Sequence, residues 1–181
     1  MTRIYTRTGD KGETSLISGQ RVKKSDWRVA VLGELDELNS SIGVAISFLS
    51  LEEIQAVLNR IQNELFTVGA EIATKNHSGK PTNFSITEES VKRLEEQIDK
   101  FSEGLAPLKD FILPGGSQPS AFLHLARSIC RRAERALVIL AEKEHVRDVL
   151  LKYLNRLSDL LFVLARLVNQ ELGVTEEIWR K

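Results

Sequence analysis

Apolar residues recur along most of this chain at steps of three and four, the spacing that puts them on one face of an α-helix. Over residues 26–49 the stripe is Leu32, Leu35, Ile42 and Ile46, and over 52–73 it is Ile54, Leu58, Ile61, Leu65 and Val68. Thr87 can cap a third helix carrying Val91, Leu94 and Ile98, with Glu88 and Glu89 at the positive end of its dipole. Ser117 and Pro119 read as the start of a fourth, with Phe122, Ala126, Ile129, Ala133, Ala136 and Leu140. A fifth carries Leu150, Leu154, Leu157, Leu161, Leu164 and Val168, and Gly173 can end it. That last seam is long and regular, the pattern of near-parallel bundle packing. Residues 1–25 break the period with Gly9, Gly12 and Gly19 and should be loop or extended chain. Residues 75–85 (KNHSGKPTNFS) read as a loop, and Pro107 and Pro114 bracket a connector holding FILPGG. No segment shows a convincing period of two. The prediction is an all-α, five-helix bundle with an extended N-terminal segment.

Bulk properties narrow this picture. A chain of 181 residues is sized for one domain, here 1–181. Its 25 cations and 25 anions cancel, so nothing draws it globally to nucleic acid or to an anionic membrane, and any anion site must come from local clustering. With one cysteine, Cys130, no internal disulfide is possible, which fits a reducing compartment. The first residues lack the apolar stretch of a secretory signal, and no apolar run is long enough to span a bilayer. The expected location is the cytoplasm.

Local clustering is present. Residues 127–135 (RSICRRAER) place Arg127, Arg131 and Arg135 at steps of four on one helix face, with Arg132 and Glu134 beside them. Like charges at that spacing repel by a few tenths of a kcal/mol. A multivalent anion would neutralise them, since guanidinium forks match phosphate oxygens; carboxylates on a neighbouring helix would do so equally well. Residues 6–15 (TRTGDKGETS) gather small residues, two glycines and the cations Arg7 and Lys11. Backbone N–H groups in such turns can cradle phosphate, though a simple N-terminal turn has the same composition, and the run is not a Walker A loop. On the fifth helix Asp148, Lys152, Asn155 and Asp159 form a polar stripe. In GELDELN, Glu34, Asp36, Glu37 and Asn39 either decorate the surface or let Asp36 pair with an arginine elsewhere. Phe111 and Ile112 either cap the bundle or present a ring to a flat ligand. A di-iron carboxylate site would need a second Glu-x-x-His besides Glu142 and His145, and none exists. His77 and His124 stand alone.

In order along the chain come TRTGDKGETSL, GELDELNSSIG, FILPGG, RSICRRAER and YLNRLSD. This series closely resembles the PduO-type ATP:cob(I)alamin adenosyltransferases over nearly the whole chain. The resemblance implies a homotrimer with sites between subunits, and ATP, magnesium and cobalamin as ligands; the extra C-terminal domain that some members carry is not expected here. It matches Thr6, Arg7, Thr8, Gly9, Gly12, Thr14, Ser15 and Lys24 to N-terminal ATP contacts. It matches Arg131, Arg132, Ala133, Glu134, Arg135 and Asn155 to the remaining ATP contacts. Asp36 and Arg127 match a salt bridge across the subunit interface beside the cobalamin. Phe111 matches the aromatic that helps keep the lower ligand off cobalt. The implied reaction moves the 5′-deoxyadenosyl group of ATP to Co(I), releasing triphosphate. Co(I) is itself the nucleophile, so the absence of an obvious general base agrees with it. The protein ligands to magnesium are not implied by these motifs. A cobalamin reductase is an expected transient partner; nucleic acid and membrane are not. The competing reading is an ATP- or corrinoid-binding sensor or carrier without turnover, which would need neither Asp36, Phe111 nor Arg127.

Overall fold

A computed structural model describes residues 3–74 and 85–180; the loop predicted over 75–85 lies outside these except for Ser85. Five helices follow one another: α1 (Trp27–Ser47), α2 (Glu52–Thr74), α3 (Glu88–Ser102), α4 (Gln118–Ala141) and α5 (Asp148–Glu171). Each boundary has a local cause. Asp26 is extended and its carboxylate accepts the Arg28 N–H at 2.8 Å, capping α1. At α3, Thr87 is the cap residue and its own N–H reaches the Ser90 hydroxyl at 3.3 Å. Pro119 stands in the first turn of α4, where a missing N–H costs no helical bond. Gly173 closes α5 at φ 65°, with the Val174 N–H on the Asn169 carbonyl (2.8 Å) and the Gly173 N–H on that of Gln170 (3.0 Å). That pair of bonds is the double-bonded left-handed helix ending.

α1 packs against α2 and α4, α4 against α5, and α5 against α3. The leucine seam of α5 is buried throughout, and Tyr153, Leu160 and Ala165 extend burial to its other sides, as expected of a helix with neighbours on two flanks. The face of α4 is wider than its predicted stripe. Leu123, Cys130 and Leu137 are fully buried with Ala126, Ala133 and Leu140, whereas Phe122 and Ala136 lie at the rim. The reason is that α4 serves two partners, α1 and α5, so its apolar arc is centred between them. Phe122 instead stacks on Phe48, ring centroids 5.2 Å apart.

Two features depart from a purely helical reading. Residues Glu13–Ser15 (β1) and Arg21–Lys23 (β2) form an antiparallel hairpin with Thr14 opposite Val22. Strands of three residues are too short to display a period of two. Leu16, at the hairpin's inner edge, is buried, and Ser15, Leu16 and Ile17 line a groove with Leu32, Leu35 and Leu65; the hairpin thus lies along α1 and α2. At the other end of the chain Ile178 bridges Ile112, so the segment after α5 folds back onto FILPGG.

Candidate functional site

The chemistry-bearing residues occupy two regions. The first is a cleft of about 880 Å³ at one end of the bundle, lined among others by Phe111, Pro114, His124, Arg127, Phe162 and Trp179. Its rim is the FILPGG turn, and the turn is fastened by one buried side chain. The Asn169 Oδ1 accepts the Ser117 N–H and hydroxyl, both at 2.9 Å, and its Nδ2 donates to the Gly115 carbonyl at 3.0 Å. Gly116 between them has φ 100°, and a Cβ there would lie 2.4 Å from the Asn169 amide. Only glycine meets both conditions.

Phe111 is not a cap on the bundle. Its ring is 79% exposed and meets the edge of Trp179 at 6.3 Å between centroids. Its carbonyl accepts the Trp179 N–H at 2.8 Å, and the Leu113 N–H donates to the Glu177 carbonyl at 2.7 Å. Across the cleft, the Arg127 guanidinium lies over the face of Phe162, 5.2 Å from its centroid, a cation–π contact that holds the charge without a carboxylate. His124 meets the edge of the same ring at 6.0 Å. It is 3% exposed, and among the described residues neither ring nitrogen has a hydrogen-bond partner. Burial, and secondarily the Arg127 charge, push its pKa down, so the imidazole is neutral here. The cleft thus offers mostly aromatic and aliphatic surface, with Arg127, Lys109 and Asp110 as its charged groups, suited to a large, flat, mostly apolar ligand.

The second region is the arginine run of α4. Arg132 takes the carboxylate reading: its Nε lies 2.5 Å from Glu34 and its Nη2 bonds Glu37, both on α1. Those hydrogen bonds raise its pKa, Glu34 most. Arg131 and Arg135 are exposed and form no ion pair among the described residues. Glu134 pairs with neither; it accepts from Asn155 Nδ2 at 3.0 Å, and Asn155 Oδ1 accepts from Arg156 at 2.7 Å. Asn155 is therefore held in place between α4 and a guanidinium rather than merely solvated. Ala133 is fully buried; its methyl belongs to the core and only its backbone faces the run.

Thr6, Arg7, Thr8, Gly9, Gly12, Thr14, Ser15 and Lys24 are brought together around the hairpin. Arg7 has φ 59°, a left-handed conformation uncommon for a residue with a side chain and enriched at ligand sites. The Thr6 and Thr8 hydroxyls bond at 2.8 Å, and Arg21 fixes the loop through the Thr8 carbonyl at 2.7 Å. A Cβ on Gly9 would lie 3.3 Å from the Lys24 ammonium, so Lys24 sits directly over the loop. No hydrogen bond or ion pair joins this segment to α4 or α5 among the described residues. Asp36 is exposed on α1 near the hairpin's groove, and it does not pair with Arg127 within the chain. Buried Asn39, beside it, locks α1 to α2 instead, exchanging bonds with the Gln62 backbone and side chain at 3.2 and 3.0 Å.

Among the described residues no cluster of three His, Cys, Asp or Glu can hold a metal ion, and no helix is long and apolar enough to cross a membrane. Sequence reasoning overlooked Asn169, Phe162, Trp179 and Arg166. Their signal was faint: an asparagine inside a leucine seam, and aromatics outside every stripe.

The model of the family described as "Cobalamin adenosyltransferase" matches residues 4–168. The chain is 46% identical over 176 residues to the corrinoid adenosyltransferase of Bacillus subtilis, covering 95% of this chain and 89% of the relative. It is 41% identical over 182 residues to the cobalamin adenosyltransferase of Cupriavidus metallidurans, covering 100% and 96%. A phenylalanine-to-alanine variant of the PduO-type ATP:corrinoid adenosyltransferase of Lactobacillus reuteri, solved with cobalamin and ATP, superposes with a TM-score of 0.91 at 38% identity, covering 99% of this chain and 100% of that one.

Proposed function

Since the chain belongs to the cobalamin adenosyltransferase family and is an ATP:corrinoid adenosyltransferase, we propose that it works as one catalytic unit over 1–181 at sites shared between three copies. In each site the hairpin segment of one subunit and α4–α5 of its neighbour grip ATP, and the Phe111 cleft receives the corrinoid. The observation that carries this reading is the separation just described. Among the described residues Arg131 and Arg135 form no ion pair, Asp36 meets no cation, and no hydrogen bond or ion pair joins the phosphate-type loop, which lies along α1 and α2, to the arginines. A neighbouring copy supplies each missing partner.

In the reaction, Co(I) attacks the ribose 5′ carbon. A cobalt–carbon bond forms, the carbon–oxygen bond to the α-phosphate breaks, and its electron pair leaves with triphosphate. No proton needs to move, so the chain's contribution is alignment and charge. Arg131 and Arg135 stabilise the leaving polyphosphate, and the Thr6–Thr8 loop with Lys24 orients it. Phe111, Phe162 and Arg127 seat the corrinoid, with Phe111 holding the lower ligand off cobalt. Magnesium fits the arginine run only as a companion of the phosphates. Glu134 is the one carboxylate of the run and forms no ion pair among the described residues, which suits an ion that takes one or two protein oxygens and keeps its phosphate and water ligands. When bound, it would add positive charge at the leaving group.

Mixing two variants tests the shared site. Arg131→Ala and Lys24→Ala each impair a different contributor to the same site. Unfolded and refolded together, they should regain activity at about a quarter of the sites if each site draws on two chains. No regain, or a monomer by light scattering that still turns over, overturns the shared site. ADP in place of triphosphate would overturn the chemistry.

A further inference from the structure

Phe111 is exposed, yet the proposed reaction needs its ring at a fixed place. Something other than core packing must aim it. The contacts around it lead to α5. The Arg166 side chain is only 10% exposed. Its Nε lies 3.0 and 3.3 Å from the two Glu176 carboxylate oxygens, and its Nη2 lies 3.2 Å from Glu176 and 2.8 Å from the Ala106 carbonyl. One guanidinium therefore binds both strands that flank the ring: the connector that enters FILPGG and the tail that leaves α5. Beyond Glu176 the tail runs antiparallel to 111–113 through two backbone hydrogen bonds and ends with Trp179 against Phe111.

The geometry points to Arg166 as a positioning residue for the reaction, acting with Glu176 to aim Phe111 into the corrinoid cleft. Arg166 is absent from the cleft lining and touches neither ligand in this reading. Bidentate pairing suits such a task, because a planar guanidinium on a carboxylate fixes direction as well as distance. A flexible ammonium would fix distance alone. The inference rests on the proposed role of Phe111 in keeping the lower ligand off cobalt.

Its test compares two supplies of cobalt within each variant: Co(II)alamin with a reducing system, and preformed Co(I)alamin. Phe111→Ala, Arg166→Met, Arg166→Lys and Glu176→Gln are measured side by side with tail docking, read from Trp179 fluorescence. Arg166→Met and Glu176→Gln should lower the Co(II)-to-Co(I) rate ratio by up to about 100-fold, the scale of a misplacement near an ångström. The spectrum of four-coordinate Co(II) should weaken in parallel. Arg166→Lys should recover only part of the ratio, and Arg166→Glu with Glu176→Arg should recover more than either single change. If Phe111→Ala shifts the ratio while Arg166→Met and Glu176→Gln leave it unchanged, the clamp is overturned and the Phe111 role stands. If Phe111→Ala itself leaves the ratio unchanged, the role of Phe111 is at fault and the clamp's purpose falls with it. Should Arg166→Met fail to fold, the partly exposed Glu176→Gln decides alone.

Discussion

The Phe111 cleft, proposed to seat the corrinoid, and the residues proposed to grip ATP are built on opposite plans. Three parts of the cleft are tied down by the chain itself: Asn169 holds the turn, Phe162 holds Arg127, Trp179 meets Phe111. The residues proposed for ATP are left open, with Arg131 and Arg135 unpaired and no hydrogen bond or ion pair joining them to the hairpin loop among the described residues. Arg132 marks the boundary: one position from Arg131, it already has two carboxylates. A self-fastened region should respond to substitution with lost stability, and an open one with lost affinity.

The largest expected effect is on the fastened side. Gly116→Ala combines a left-handed backbone with a collision against the Asn169 amide, and should cost about 2–5 kcal/mol. Calorimetry should register this as a clear drop in Tm, and an unchanged Tm would break the comparison. On the open side, Arg131→Ala should leave Tm nearly unaltered and raise KM for ATP by about 10–150-fold, the equivalent of losing a charge-assisted phosphate contact of about 1.5–3 kcal/mol. Normal KM and turnover would make Arg131 a solvated side chain.

His124 supplies a smaller, pH-dependent test. Its folded pKa is below the ordinary 6.5, so the unfolded chain binds the proton more readily and acid favours unfolding. Stability attributable to His124 is complete above about pH 6.5 and declines as pH falls below it. Tm measured between about pH 7 and 5 should therefore flatten in His124→Phe, which keeps the ring contact to Phe162. An identical slope in both proteins would show that the imidazole is protonated in the fold. Arg132→Ala should have the smallest effect, because its ion pairs are half in solvent, where such pairs contribute little. A loss of ATP affinity equal to that of Arg131→Ala would erase the distinction between the two arginines.

Most of the fold was legible because it follows one rule. A helix that buries a stripe announces itself at steps of three and four, and all five did so, including the leucines of α5. The hairpin was not legible, since three-residue strands have no room for a pattern, and the α4 stripe was read too narrowly because two neighbours broaden its buried arc. In the candidate site, charge clusters were visible because they cost repulsion in isolation. What they pair with was not: that Arg132 meets Glu34 and Glu37 is a fact of how α1 crosses α4. Asn169 and Arg166 sit within the apolar fifth helix and act on segments more than fifty residues away, a relation no local spacing encodes.

The bond between Asn169 and the Gly115–Ser117 turn has an evolutionary consequence. One amide spends both its ends on the turn, while its backbone carbonyl closes its own helix through Val174. Positions 116 and 169 therefore behave as a single locus. A larger residue at 116 has no space while Asn169 remains, and a smaller residue at 169 creates that space only by abandoning the turn that the space would serve. At this joint a tolerated change at one position must wait for a change at the other.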